Sequence, residues 1–137
     1  GADGRLDLGA LVQRIPYAQF LGVQVEEKGN EITLMMPFRD SLIGNVMLPA
    51  LHGGTIGALL EFTAVIQLLA ESQPSALPKT IDFAIDYLRS GRPEPTYARA
   101  TIAKHGRRVA NVQVEAWQSL RSKPIASGHG HFMLGDG

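Results

Sequence analysis

The sequence contains no cysteine, which excludes disulfide bonds, thiolate zinc sites and cysteine nucleophiles. The absence fits a reducing, cytoplasmic setting. An excess of charge of either sign is lacking too, because 13 basic residues balance 13 acidic ones. A neutral chain has no overall field that would gather nucleic acid or an anionic membrane, so any recognition of phosphate must be local.

A long uninterrupted apolar run is also missing. The nearest to one, residues 55–70, is broken by Glu61, Thr63 and Gln67. No basic segment leads into an apolar stretch, so we expect neither a signal peptide nor a membrane span but a cytoplasmic protein. The 137 residues suit a single domain, of which we expect residues 1–7 to be disordered or in part a cloning remnant.

Apolar periodicity predicts the helices and strands. Residues 8–15 carry apolar side chains at helical spacing and stop at Pro16, which indicates a short N-terminal helix. The turn dipeptide Gly29-Asn30 between two alternating stretches indicates an antiparallel hairpin. Strands are predicted at residues 23–26, 31–36, 80–88, 97–104, 109–117 and 125–134, and one long helix is predicted from residue 53 to about residue 70.

The order of these elements predicts an α+β domain. Strands with few crossover helices form an antiparallel sheet, and one long, almost wholly apolar helix predicts that this sheet wraps around it. Residues 37–49 are polar and irregular, so they form a loop of the length that often carries function.

One carboxylate, Glu61, lies in the middle of the predicted long helix. The residues three and four positions away on that helix are Gly57, Ala58, Ala64 and Val65. None of them carries a positive charge that could compensate the carboxylate. Burial of an unpaired carboxylate costs several kcal/mol, which favours a chemical role for this one. The structural alternative is that Glu61 occupies a narrow exposed strip or pairs with a strand residue such as Arg89 or Lys79.

The segment His52-Gly53-Gly54 opens the same helix. A helix N-terminus offers free N–H groups and the positive end of the helix dipole, and glycine admits an acyl oxygen close to the backbone, so the segment outlines an oxyanion hole. The alternative is a tight entry turn in which His52 caps or packs.

The spacing of these two features has a geometric consequence. Gly53 and Glu61 are eight residues apart, which along one helix is roughly 12 Å at 1.5 Å per residue. One carbonyl carbon cannot contact both. If both serve one reaction, the two groups come from different copies of the chain, which predicts a homodimer or a dimer of dimers with shared sites.

The segment Leu51-His52-Gly53-Gly54, followed by a helix with an acid nine residues after the histidine, resembles the PaaI-like branch of the hotdog-fold thioesterases. The similarity extends from about residue 21 to residue 134 and includes residues 80–89. It implies the hotdog fold, an antiparallel sheet around one long helix. It also implies an acyl-coenzyme A thioesterase that works at a dimer interface without a metal or redox cofactor.

The resemblance also implies roles for individual residues. Gly53 would polarise the thioester carbonyl, and Glu61 would act as nucleophile or as base for water. Many PaaI-like members carry aspartate at the position of Glu61, and glutamate resembles the variant in bacterial hydroxybenzoyl thioesterases. The loop amide that positions the acid or water falls near Asn45, and the hydroxyl that orients water falls near Thr80, which could instead be an ordinary strand former. His52 belongs to the same motif as Gly53.

Residues beside turns in similar proteins meet the pantetheine arm or the phosphates of coenzyme A, and arginine suits phosphate because its planar fork donates in pairs. The resemblance implies that the four arginines beside turns, taken together as a cluster, play this part: Arg89, Arg92, Arg107 and Arg108. The predicted substrate-binding residues are Arg89, Arg107 and Arg108 of this cluster together with Gly54, Phe62 and Gly106. Solvated turns are the alternative for Arg92 and Arg108. The acyl group is expected to be aromatic or of short to medium length.

Two histidines, His129 and His131, share a face of the last predicted strand. Two ligands are too few for a metal site, so none is predicted, and residues 127–131 are interpreted as the end of that strand. Two rival functions remain open. A hotdog enoyl-coenzyme A hydratase or dehydratase is disfavoured because His52 precedes the helix, and a non-catalytic acyl-coenzyme A-binding protein is disfavoured by Glu61.

Overall fold

The computed structural model describes residues 7–13, 16–29, 31–38, 53–72 and 77–134. The helices are α1 (Leu8–Gln13), α2 (Pro16–Leu21) and α3 (Gly53–Ser72), and the strands are β1 (Gln24–Lys28), β2 (Glu31–Met36), β3 (Lys79–Tyr87), β4 (Thr96–His105), β5 (Val109–Trp117) and β6 (Ala126–Met133). The predicted six strands and long helix are confirmed in this order. Residues 37–38 are described as irregular, and 39–52, which include Asn45 and His52, lie outside the described residues.

The N-terminal segment differs from its prediction. One helix ending at Pro16 was expected, but α1 is followed by a second short helix, α2, which begins at that residue. Proline fits the first turn of a helix because its φ is already helical and the N–H it lacks would have no partner there. Leu8 and Val12 of α1 and Leu21 of α2 are buried, so both helices close one side of the core.

All strand pairs are antiparallel, in the order β1-β2-β4-β5-β6-β3. Alternate residues of β5 are buried on the face toward α3, namely Ala110, Val112, Val114 and Ala116. The helix supplies the other half of the core, with Leu59, Leu60, Ile66 and Leu68 fully buried. The domain is therefore an α+β sheet wrapped around one long helix, as the resemblance implies.

By length and composition α3 is apolar enough to cross a membrane. In the folded chain, however, 61% of its apolar window is buried in the domain, and it packs against β2, β3, β4, β5 and β6. Helix α3 is therefore the core helix of this domain.

The two edges of the sheet have different characters. Edge strand β1 carries the charged residues Glu26, Glu27 and Lys28, which discourage further strand pairing. The opposite edge, β3, is nine residues long and exposes apolar side chains, with Ile81 50% and Tyr87 55% exposed. A long edge strand with exposed apolar residues is suited to pair with another strand.

Candidate active site

Two residues predicted from the sequence, Glu61 and Thr80, are in contact. Thr80 Oγ1 donates a hydrogen bond of 2.6 Å to Glu61 Oε2, which joins the middle of α3 to the start of β3. Glu61 is half-buried, not enclosed on all sides as the apolar pattern suggested. The structural alternatives were a narrow exposed strip and a pairing with Arg89 or Lys79. Arg89 Nη1 donates instead to the carbonyl of Pro124 at 2.6 Å.

A β-bulge directs Thr80 toward the helix. Thr80 lies opposite Phe132 and Asp82 lies opposite His131, so Ile81 is an extra residue without a partner in β6. Phe132 is fully buried beside α3, and Thr80 shares its face of the sheet. An extra residue shifts the alternation of side chains by one, and bulges commonly redirect a side chain next to an active site in this way.

The first turn of α3 is bound to the other end of β3. Tyr87 Oη donates a hydrogen bond of 2.9 Å to the carbonyl oxygen of Gly53. Glycine one turn later makes this approach possible, since a Cβ at Gly57 would lie 3.0 Å from Ile85 Cδ1 and 3.3 Å from Tyr87 Oη. Tyr87 was not predicted as a site residue, although its place two residues after Ile85 in an alternating strand puts it on the helix face.

A cavity of about 380 Å³ lies beside this turn of α3. Its lining comes from Gly53, Ile56, Tyr87, Leu88, Arg89, Ser90 and Gly91. An adjoining cavity of about 480 Å³ shares Arg89, Ser90 and Gly91 and adds Arg92, Glu94 and Lys123, so three cations and one acid line this region.

The other predicted substrate-binding turn lies at the opposite end of the sheet. Gly106, Arg107 and Arg108 connect β4 to β5, and Gly106 N–H donates to the carbonyl of Val109 at 2.9 Å. The end of α3 is close by, because Ser72 Oγ and His105 Nε2 are hydrogen-bonded. Within one chain the predicted arginines therefore form two separate groups, one at each end of the sheet.

One side of α3 is only half-buried. Gly57, Ala58, Glu61, Phe62 and Val65 recur every three or four residues and so form a single stripe along the helix. Gly54, in the first turn, is exposed. The stripe places the carboxylate among small and apolar side chains at the surface of this chain.

The two histidines of β6 lie on the sheet face turned away from α3. His131 Nδ1 is 2.9 Å from Asp82 Oδ1, and the hydrogen bond with this side chain holds the pKa of the Asp82 carboxyl below its ordinary value of 3.8. Within the described ranges no group of three or more His, Cys, Asp or Glu side chains is arranged to hold a metal ion.

Comparison with known proteins gives a consistent result. The model of the family described as the thioesterase superfamily matches residues 48–124. The medium/long-chain acyl-CoA thioesterase YigI of Escherichia coli is 28% identical over 138 residues, covering 90% of this chain and 88% of that protein. A crystal structure of a protein from Chromobacterium violaceum is 39% identical, with a TM-score of 0.76 over 94% of this chain and 90% of that one.

The PaaI protein from the phenylacetic acid degradation operon of Escherichia coli has a TM-score of 0.79 with 93% of this chain and 90% of that one covered. At 19% identity this similarity concerns the fold. The family match spans more than half of the chain. The chain belongs to the thioesterase superfamily and is a thioester hydrolase with the PaaI-like hotdog fold.

Proposed function

We propose that the protein hydrolyses the thioester of an acyl-coenzyme A, with an aromatic or a short to medium acyl chain, at a site shared by two copies. The observation that carries this proposal is the 2.6 Å hydrogen bond between Thr80 and the helix carboxylate Glu61. The name of the YigI relative supports coenzyme A as the thiol component and makes longer acyl chains worth testing.

In the proposed reaction Glu61 acts on the thioester carbonyl carbon. Thr80 occupies Oε2, which leaves Oε1 to take a proton from water or to attack the carbon directly. As a base, Glu61 activates water, whose oxygen forms the new carbon–oxygen bond as the carbon–sulfur bond breaks. As a nucleophile, Glu61 forms an acyl anhydride as the carbon–sulfur bond breaks, and water then cleaves this anhydride and restores the carboxylate. In both routes the oxygen of water ends in the acid product and a proton from water ends on the thiol of coenzyme A. These steps use a carboxylate, a hydroxyl and backbone amides, so no metal or redox cofactor is required.

The negative charge on the carbonyl oxygen is assigned to the first turn of α3. The helix dipole places positive potential at this end of the helix, and backbone N–H groups there point toward a bound anion. Gly53 provides the amide, and the hydrogen bond from Tyr87 to the Gly53 carbonyl fixes the orientation of this turn.

Two copies are needed because Gly53 and Glu61 lie roughly 12 Å apart along one helix. The open edge of β3 offers a surface for the second copy. Antiparallel pairing of two β3 strands would bring the Gly53 end of one chain next to the Glu61 and Thr80 end of the other. Such a site would also combine Arg89 of one chain with residues 106–108 of the other, which accounts for the two separate arginine groups.

Removal of either arginine should weaken binding of coenzyme A. We expect Arg89→Ala and Arg107→Ala to raise KM with little change in kcat, since phosphate contacts act equally on ground state and transition state. The effect should shrink in high salt, because exposed charges are screened over roughly 8 Å at physiological ionic strength. Initial rates at two salt concentrations measure this.

The matched control is Arg121→Ala. The Arg121 guanidinium lies 4.9 Å from the centroid of the Trp117 ring, on the sheet face turned away from α3, and its loss should leave KM unchanged. Wild-type KM in both Arg89→Ala and Arg107→Ala would place the nucleotide elsewhere.

The decisive test of the function is a thiol-release screen with phenylacetyl-, hydroxybenzoyl- and straight-chain acyl-coenzyme A. Release of free thiol from at least one member at enzymatic rates is the expected result. Hydration of crotonyl-coenzyme A without thiol release would favour a hydratase instead. Tight binding of acyl-coenzyme A without turnover would favour a binding protein.

A further inference from the structure

We propose that Asp82 is a positioning residue for the active site: by binding His131 across the β-bulge, it fixes the register that turns Thr80 toward Glu61. This inference rests on the proposed function, because it concerns the orientation of the same carboxylate. Asp82 itself lies on the opposite face of the sheet and acts through the backbone.

The register of β3 decides which face Thr80 occupies. Phe83 and Ile85 pack against the core on the helix side. In a regular strand, with side chains alternating at every residue, Ile81 would join them and Thr80 would point to solvent. The extra residue at the bulge reverses this, and the hydroxyl of Thr80 reaches Glu61 at 2.6 Å.

The carboxylate of Asp82 binds the residue opposite it across the bulge. Its Oδ1 accepts a hydrogen bond from the His131 backbone N–H at 3.1 Å. The ring atom His131 Nδ1 lies 2.9 Å from Oδ1 and 3.1 Å from Oδ2. A bulge disrupts the regular ladder of main-chain hydrogen bonds, and an ionised carboxylate is a strong acceptor for an N–H in that position.

The contact with His131 favours the ionised form of Asp82, which is the form that accepts these hydrogen bonds. The hydrogen bond with the His131 side chain is the main cause that lowers the pKa of Asp82 from 3.8. A carboxylate with a lowered pKa contributes stability above the unfolded value and loses it only as the pH falls through the folded value. At neutral pH Asp82 is therefore in the ionised form that accepts the hydrogen bond from the His131 N–H.

Strand β6 carries a glycine, Gly130, where the backbone of β3 comes closest at the bulge. A side chain at Gly130 would collide with the backbone carbonyl of Asp82 and would come within 2.7 Å of Phe83 Cδ1. Glycine at this position is thus required for β3 to lie so close to β6, directly next to the residue that Asp82 binds. The carboxylate and the glycine are independent features that stabilise the same local geometry.

The first experiment compares Asp82→Ala with Asp82→Asn and with the control Asp86→Ala. Asp86 lies four residues further along β3 and faces the same side. We expect Asp82→Ala to lower kcat about tenfold with KM little changed, less than the roughly hundredfold loss that a 1 Å misplacement of a reacting group can cause. Asp82→Asn should lose less, because its amide oxygen still accepts from the His131 N–H, and Asp86→Ala should match wild type.

A double-mutant cycle with Thr80→Val separates positioning from general destabilisation. If Asp82 acts through Thr80, then Asp82→Ala should lower kcat little further once the hydroxyl is gone. The inference would be overturned if the losses of kcat in Asp82→Ala and Thr80→Val multiplied in the double variant. A wild-type kcat in Asp82→Ala would overturn it as well. Should Asp82→Ala fail to fold, the same cycle with Asp82→Asn and with His131→Ala gives the answer.

The cycle also distinguishes this inference from the proposed function. If Glu61→Gln and Thr80→Val both retain wild-type rates of hydrolysis, the site assigned under the proposed function is wrong. If both are impaired while the Asp82 variants are not, only the positioning role is wrong. Hydrogen exchange of the His131 backbone amide gives a readout that does not depend on enzyme activity. Asp82→Ala should remove the protection of this amide against exchange, and Asp86→Ala should not.

Discussion

Replacement of Glu61 by glutamine should abolish most turnover while the domain stays folded. We expect Glu61→Gln to lower kcat at least about a hundredfold, because loss of a general base costs 10²–10⁴-fold and loss of a nucleophile can cost more. KM should change little. The glutamine oxygen can still accept the Thr80 hydroxyl, and the half-buried position tolerates a neutral amide, so thermal unfolding should be close to wild type.

Two further variants make this result specific. Glu61→Asp keeps a carboxylate one methylene farther from the thioester and should retain part of the activity. Glu71→Gln changes an exposed acid of the same helix that accepts a hydrogen bond from Gln67, and it should be fully active. If folded Glu61→Gln hydrolyses acyl-coenzyme A within a few-fold of wild type, the carboxylate is structural and the mechanism is wrong.

Activity should return when two inactive variants are combined. Gly53→Pro removes the proposed oxyanion amide, and proline is tolerated in a first helical turn, so we expect a loss of about 10²-fold or more in kcat. A mixed dimer pairs a Gly53→Pro chain with a Glu61→Gln chain. One of its two sites takes Gly53 from the Glu61→Gln chain and Glu61 from the Gly53→Pro chain, so both groups of that site are intact. Random pairing makes about half of the dimers mixed, each with one intact site of two, so about a quarter of wild-type activity should return.

The matched control for the proline variant is Gly53→Ala. It keeps the N–H, and its added Cβ would meet the Tyr87 ring at 3.6 Å, an ordinary contact, so its loss of kcat should be much smaller than that of Gly53→Pro. Light scattering at the assay concentration must give at least a dimer. Co-expressed variants that stay inactive although mixed dimers are present would show that glycine and carboxylate do not serve a common site.

The sequence predicted the elements and the carboxylate because both depend on local pattern. Strand β5 was predicted with its observed bounds, since its alternation is regular and its inner positions are apolar. Glu61 was visible because an acid amid apolar helix residues departs from the pattern around it. The start of a second helix at Pro16 was missed because proline ends one helix and begins another equally well.

The arrangement of the site depends on features that composition does not record. The bulge at Ile81 was missed because an isoleucine continues the apolar alternation of β3 without interruption. The hydrogen bonds of Asp82 and Tyr87 depend on which residues of distant elements lie opposite them. The separation of Arg89 from Arg107 follows from strand order, which a one-dimensional pattern leaves open.

The bulge also bears on how sequences of this family are compared. Deletion of residue 81 would bring Thr80 next to Asp82 and restore the regular ladder, yet Thr80 would still lie opposite Phe132, on the face toward α3. An alignment that places a one-residue gap there therefore still matches the same active site. A strand that keeps the residue but lacks the bulge would instead turn the hydroxyl to the other face, so the hydrogen-bond register of this strand matters as much as its residues.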